Sequence, residues 1–354
     1  MDFVPPDKMD AESKGAASGA KGGGAPEIGG GRVVGLGESL LRLSTPGHER
    51  LEQAGNLRVH VGGAEMNALI GLANLGVEAT WITRLADNPL GRRIAAHATA
   101  YGVRTVIDWD PAARAPLYFV EHGAEPRPSE VLYDRSETAM RSLGPETFDW
   151  PALLEGASVA LCSGITCALG EGPAKAVQTF LANARDGGVR TVFDINHRSR
   201  MWTWEQALPV LCEVLPSVDV LLASEHDLAE LLGSPVEDGS AAARELIDRH
   251  RHEVVLLRQT VRLSSSRVAV SARAVTADDV LESAVYEADV VDAFGAGDAA
   301  QAAFVATLLG TGNLSSAIDR AAWACAFQHT VPGDAWQVRA SDLEQGGQSG
   351  RILR

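Results

Sequence analysis

Val290-Val291-Asp292-Ala293-Phe294-Gly295-Ala296-Gly297-Asp298 leads into the apolar stretch Ala299–Leu309, and the reading of that junction decides the fold. Glycines at 295 and 297 permit dihedrals closed to other residues, and their missing Cβ atoms let backbone approach a ligand closely. The apolar stretch predicts a helix, whose first N–H groups lack partners and whose positive dipole end attracts an anion. Asp298 stands near that end, placed to meet a phosphate acceptor. Taken alone, the four residues fit simple helix capping by an aspartate equally well. The surrounding pattern decides between the two.

Outward from this junction, short apolar runs alternate with helical periodicity. Arg32–Gly37 reads as a buried strand ended by glycine, and Ala64–Leu75 as a helix stopped by Gly76. Further strands are expected at Ala79–Thr83, Val103–Ile107, Val159–Cys162, Thr191–Ile195, Val218–Leu222 and Val254–Leu257, with helices at 90–101, 172–186, 204–214, 225–232 and 240–250. Such alternation implies an α/β fold with a mainly parallel sheet covered by helices on both faces. Two stretches break the rhythm. Ser39–Leu43 with Leu57–Val61, and Leu117–Glu121 with Val131–Asp134, have no crossover helix between their members. They read either as a small antiparallel sheet covering a ligand or a second subunit, or as ordinary surface hairpins.

Composition sets the limits. The 354 residues are 45% hydrophobic, enough for one large core. A formal net charge of −15 argues against nucleic acid and acidic membranes as partners. No apolar run reaches the ~18 residues of a membrane span, so a cytoplasmic protein is expected. Cys162, Cys167, Cys212 and Cys325 form no Cys-x-x-Cys pair and lie in or beside apolar stretches, so buried free thiols are expected. Residues 1–31, rich in Gly, Ala, Ser and Lys, cannot bury enough surface to offset their ordering entropy. They read as a disordered extension, and 32–354 as the folded domain.

The glycine junction resembles the Asp-Thr-x-Gly-Ala-Gly-Asp signature of ribokinase-like (PfkB-type) sugar kinases, with Ala293 in place of the usual Thr. Val61-Gly62-Gly63-Ala64-Glu65-Met66-Asn67 resembles that family's other signature, a double glycine before a helix. The resemblance covers 32 to about 340. It implies a three-layer sandwich with a β-sheet lid, ATP and Mg²⁺, and a small-molecule acceptor. It makes Asp298 the catalytic base, Gly295, Ala296 and Gly297 the anion hole, and Gly63 and Asn67 acceptor ligands. Several segments resemble the 2-keto-3-deoxygluconate kinase branch: Gly35-Leu36-Gly37-Glu38, Leu117-Tyr118, Val131-Leu132-Tyr133-Asp134-Arg135, Ser163-Gly164-Ile165-Thr166 and Asp194-Ile195-Asn196-His197-Arg198 with Trp202. From these the resemblance assigns Tyr118, Tyr133, Arg135 and Arg198 to the substrate, and the lid implies a homo-oligomer.

The nucleotide side departs from the family. Its Asn-x-x-Glu motif stands here as Ser224-Glu225-His226-Asp227, which places Ser224 at the nucleotide and Asp227 at the metal. The usual Lys-x-Gly after the following strand is replaced by Arg258-Gln259-Thr260, with Arg258 the candidate phosphate ligand and 261–271 irregular against the family pattern.

The assignments make chemical sense without a label. An arginine is a rigid, permanently charged, bidentate partner for the carboxylate of a sugar acid. A lid that excludes water keeps the phosphate donor from being hydrolysed. Three readings remain open: a kinase for a 2-keto-3-deoxy sugar acid, a kinase for another sugar or a nucleoside, and a non-catalytic ligand-binding relative. A dehydrogenase is disfavoured, since Gly35-x-Gly37 lacks the third glycine of a dinucleotide fingerprint. The nine histidines show no metal-binding spacing, and the tryptophans read as packing residues.

Overall fold

The computed structural model describes residues 30–344; the expected extension at 1–31 falls almost wholly outside the described residues, as does the chain after 344. The central sheet holds β1 (Arg32–Leu36), β4 (Glu78–Ala86), β5 (Arg104–Asp110), β8 (Val159–Ser163), β9 (Arg190–Asp194), β10 (Val220–Ala223), β11 (Val254–Ser264), β12 (Arg267–Val275), β13 (Val280–Glu282) and β14 (Tyr286–Asp289). Its order is β13-β12-β11-β10-β9-β8-β1-β4-β5, with β14 also on β12. From β11 to β5 every pairing is parallel. Strands such as β8 and β10 are buried at every residue, as a sheet covered on both faces requires.

The separate sheet runs β3 (Arg58–Gly62), β2 (Leu40–Ser44), β6 (Leu117–Glu121), β7 (Glu130–Asp134). Its two hairpins are antiparallel, but β2 and β6 pair in parallel, so the expected antiparallel sheet is mixed. The cause is topological: β4 and β5 of the main sheet, with their helices, intervene between the two hairpins, and the second returns in the same sense as β2.

The layers are closed by α1 (Ala64–Asn74), α2 (Pro89–Ala100), α3 (Trp150–Leu154), α4 (Gly164–Cys167), α5 (Glu171–Asp186), α6 (Trp204–Val214), α7 (Glu225–Leu232), α8 (Gly239–His250), α9 (Ala296–Thr311), α10 (Leu314–His329) and α11 (Ala340–Glu344). One core lies between the sheet and α1, α9 and α10, the other between the sheet and α5, α6 and α8. Helix α9 is buried nearly all round, with Ala299, Ala300, Ala302, Ala303, Phe304 and Val305 inside. Burying a side chain of valine or phenylalanine size stabilises by roughly 1.5–3 kcal/mol, which anchors the helix that carries Asp298.

The expected elements are incomplete, and one expectation needs correction. Residues 261–271, which depart from the family's sequence pattern, form the end of β11 and the start of β12, with one register shift. Helices α3, α4, α10 and α11 and strands β12, β13 and β14 have no counterpart among the expected elements. Cys212 is exposed, because it lies on the outer face of α6, whereas Cys162, Cys167 and Cys325 are buried free thiols.

Candidate active site

Strand order turns at the β1–β8 boundary, with later strands added in opposite directions on either side. Ligands of open α/β sheets bind beyond the carboxyl ends of the strands at such a switch point. A cleft of about 660 Å³ opens there, between those strand ends and the lid sheet. Every residue singled out in the sequence lines it: Gly63, Asn67, Tyr118, Tyr133, Arg135, Arg198, Ser224, Asp227, Arg258, Gly295, Ala296, Gly297 and Asp298.

The helix begins earlier than its apolar run. Gly295 is the N-cap of α9 with φ 75°, a left-handed conformation, and Ala296, Gly297 and Asp298 form the first turn. Their backbone N–H groups therefore have no partners one turn earlier in the helix. Asp298 is half-buried, and its Oδ2 accepts a hydrogen bond from Asn67 Nδ2 at 2.8 Å. Burial pushes its carboxyl up to about 6; the Asn67 hydrogen bond pulls the other way, and the charge of Asp194 adds to the rise. Asn67 reaches Asp298 because α1 starts directly after Gly63. A Cβ on Gly63 would lie 2.5 Å from the Glu38 carbonyl oxygen and 2.9 Å from Ser39 Cα, so only glycine lets α1 begin against that segment.

Arg198 follows β9 around a bend at Asn196, whose φ of 43° is tolerated best by Asn or Asp among residues with a side chain. The Arg198 side chain makes no hydrogen bond or ion pair among the described residues, while its carbonyl oxygen accepts from the Met201 N–H at 2.8 Å. Arg135, by contrast, is paired with Glu38, a buried carboxylate that also accepts from Thr138 Oγ1 at 3.0 Å. Tyr133 is 38% exposed on the lid and stacks on Tyr118 at 5.9 Å. The Tyr118 hydroxyl is already committed, donating to Asp334 Oδ1 at 2.7 Å.

Directly after β10, Ser224 caps α7. Its Oγ accepts from the Asp227 N–H at 3.2 Å, and Asp227 Oδ2 accepts from the Ser224 N–H at 2.7 Å. This is a capping box in which Asp replaces Glu, and one methylene less still closes the loop. Arg258 donates through Nη2 to both oxygens of buried Asp194, at 2.9 and 2.7 Å, and its Nη1 lies under Gly297. Among the described residues, no group of three or more His, Cys, Asp or Glu side chains is arranged to hold a metal ion.

Four acids with a bearing on the site received no role in the sequence reading. Asp194 partners Arg258 and Glu38 partners Arg135. Asp334 joins the lid to the loop before α9. Glu65 lies under the site, accepting from Ser163 Oγ at 2.7 Å and Thr166 Oγ1 at 3.1 Å; burial pushes it up to about 7 against those hydrogen bonds. Charged residues inside motifs that end strands were the available signal.

Residues 32–337 match the family model described as pfkB family carbohydrate kinase. The chain is 34% identical to a 2-dehydro-3-deoxygalactonokinase of Haloferax volcanii, over 90% of this chain and 98% of that protein. It is 31% identical to a 2-dehydro-3-deoxygluconokinase of Thermoproteus tenax, over 85% of this chain and 89% of that one. Its structure superposes on that of a 2-dehydro-3-deoxygluconokinase from Thermotoga maritima with a TM-score of 0.86 and 34% identity, covering 90% of this chain and 99% of the other.

Proposed function

The chain belongs to the pfkB family of carbohydrate kinases, and on that premise we propose that it transfers the terminal phosphoryl group of ATP to a hydroxyl of a 2-keto-3-deoxy sugar acid in the cytoplasm. One observation carries the acid acceptor: Arg198 stands unpaired in the cleft that holds Asp298, while the other cations there, Arg135 and Arg258, already have carboxylate partners. Arg198 is exposed at the cleft, and its planar fork is free to take a carboxylate in bidentate fashion. The names of the three enzymes compared above, two 2-dehydro-3-deoxygluconokinases and a 2-dehydro-3-deoxygalactonokinase, agree with that chemistry.

In this reading Asp298 takes the proton of the acceptor hydroxyl as that oxygen attacks the γ-phosphorus. The N–H groups at the start of α9 hold the charge that grows on the transferring group. Arg198 binds the acceptor carboxylate. Asn67, Gly63, Tyr133 and the Arg135–Glu38 pair orient the rest of the acceptor, and Tyr118 walls the cleft. Ser224 and Arg258 line the donor side. With no acidic or histidine cluster for a metal among the described residues, Mg²⁺ would be held by the nucleotide's phosphates with Asp227 as the protein carboxylate on that side, and would neutralise their charge.

Arg198→Ala is expected to raise KM for the sugar acid at least ~100-fold, the usual consequence of losing a charged partner, with KM for ATP little changed. Steady-state kinetics with both substrates varied would show it; an unchanged acceptor KM would remove the carboxylate from Arg198.

The pH dependence follows from Asp298, which acts as a base only when ionised. Since its carboxyl sits at about 6, kcat/KM should fall about tenfold per pH unit below that point and level off above it. The Asn67 hydrogen bond favours the ionised form, so Asn67→Ala should shift that acid limb to higher pH. A profile of kcat/KM flat from about pH 5 to about pH 8, a span that brackets the expected limb, would contradict the assignment.

The alternative of a neutral sugar or nucleoside acceptor predicts the reverse for Arg198→Ala, with acceptor KM unchanged.

A further inference from the structure

The lid and the loop before α9 are joined by a buried ionic cluster that the proposed chemistry does not itself use. Arg42, at the middle of β2, is 1% exposed. Its Nη2 donates to Asp292 Oδ2 at 2.6 Å, and its Nη1 lies 3.2 Å from Asp334 Oδ2. The guanidinium also covers the Phe294 ring, 4.7 Å from its centroid. Asp292 accepts from the N–H of Phe294 at 3.3 Å and of Gly333 at 3.0 Å, which knits its loop to residues 332–334. The Asp334 carbonyl oxygen packs against Gly295, where a Cβ would lie 1.9 Å from it. One lid guanidinium is thus tied to both segments that frame the left-handed turn at Gly295, three residues before Asp298.

Stability alone explains this cluster poorly. Buried ion pairs replaced as a unit by well-packed apolar side chains are often neutral or gain stability, because desolvation offsets the attraction. An aliphatic chain on β2 could fill the same volume. What a guanidinium adds is a rigid fork that holds two carboxylates, on two different loops, at fixed geometry.

We propose that Arg42 is a positioning residue that makes the productive shape of the Gly295–Asp298 turn conditional on the seating of the lid strand. It draws Asp292 and Asp334 together, and through them sets the direction in which the first N–H groups of α9 point. The inference rests on the kinase reading and deepens it: phosphoryl transfer is enabled where the lid excludes water. With the cluster broken, the acceptor and nucleotide still bind but transfer slows and water competes. A water oxygen then bonds to the γ-phosphorus, the bond from phosphorus to the β-phosphate bridging oxygen breaks, ADP leaves, and Asp298 takes the water's proton.

The test compares full-length wild type with Arg42→Met, Arg42→Lys and Asp334→Asn, measuring ADP release and phosphorylated product separately alongside a thermal melt. For Arg42→Met, kcat should drop ~100-fold, the scale of a small misplacement of a catalytic group. Both KM values should stay within about threefold, and ADP formed per phosphorylated product should rise above about one. Arg42→Lys should recover part of kcat, since charge returns without the fork. If Arg42→Met does not fold, the two conservative variants decide, each with an expected loss of about tenfold in kcat at unchanged KM. Normal kcat with a lowered melting temperature, or a change confined to KM, would make Arg42 a structural or binding residue and overturn the inference. Wild type that phosphorylates no sugar acid, sugar or nucleoside would bring down the kinase reading and this inference together. Turnover by wild type with unaffected variants sinks the inference alone.

Discussion

Asp298→Asn should leave the fold and acceptor affinity intact and lower turnover at least ~100-fold, the lower end of what a general base contributes. The substitution keeps the shape of the side chain and its contact with Asn67, but an amide has no basic oxygen for the hydroxyl proton. The carboxyl suits the role proposed for it. Burial beside Asp194 lifts the carboxyl to about 6, close enough to neutrality that it is mostly ionised at pH 7 and still more basic than an exposed aspartate. Acceptor binding measured by calorimetry, alongside single-turnover phosphoryl transfer, separates this outcome from loss of binding. Near-normal turnover would remove Asp298 from the mechanism.

Gly295→Ala is the second substitution with a large expected effect. At φ 75° an alanine pays for the left-handed conformation, and its Cβ would lie 1.9 Å from the backbone carbonyl oxygen of Asp334. A backbone atom cannot swing aside, so the turn or the 332–334 segment must shift. Either movement redirects the first N–H groups of α9. Loss of one such donor is typically worth ~10²–10³ in kcat, and that is the expected range here. The contrast is Gly297→Ala, where no left-handed φ is required and the nearest atom is the end of the Arg258 side chain, 2.4 Å from a Cβ, which is held to Asp194 but can give more readily than backbone. The smaller loss should therefore be at 297; equal kcat for both variants and wild type would show that the turn's shape does not matter.

Much of this architecture is written locally, and what is not has a physical reason. The doubly buried strands are continuous apolar runs, so β8, β9 and β10 can be read within a residue or two. Helices α6 and α7 begin at capping boxes, which mark their first turns in the sequence. Helix α10 lacks such a cue: alanines carry much of its buried face, which blurs the apolar periodicity. The β11–β12 hairpin departs from the family's sequence pattern yet pairs regularly, because register depends on alternation and not on particular residues.

For the site, motif and strand-end positions sufficed to collect thirteen residues around one cleft. What they did not reveal was which of those residues are already engaged. Arg135 and Arg198 look alike in sequence, and only the folded chain pairs the first with Glu38, 97 residues away. Arg42 reads as an ordinary polar residue in Leu40–Ser44, since its partner Asp292 is 250 residues further on. Contacts of that range leave no trace in local periodicity.

Acceptor-dependent ADP release decides whether this cleft phosphorylates a sugar acid. Purified full-length protein would be given ATP and Mg²⁺ with 2-keto-3-deoxygluconate, with its galactonate epimer, with neutral sugars and with nucleosides in turn. The account predicts ADP release driven by the 2-keto-3-deoxy acids well above the rate with any neutral compound. Preference for a neutral sugar or nucleoside, or ligand binding without ADP from any of them, would contradict it.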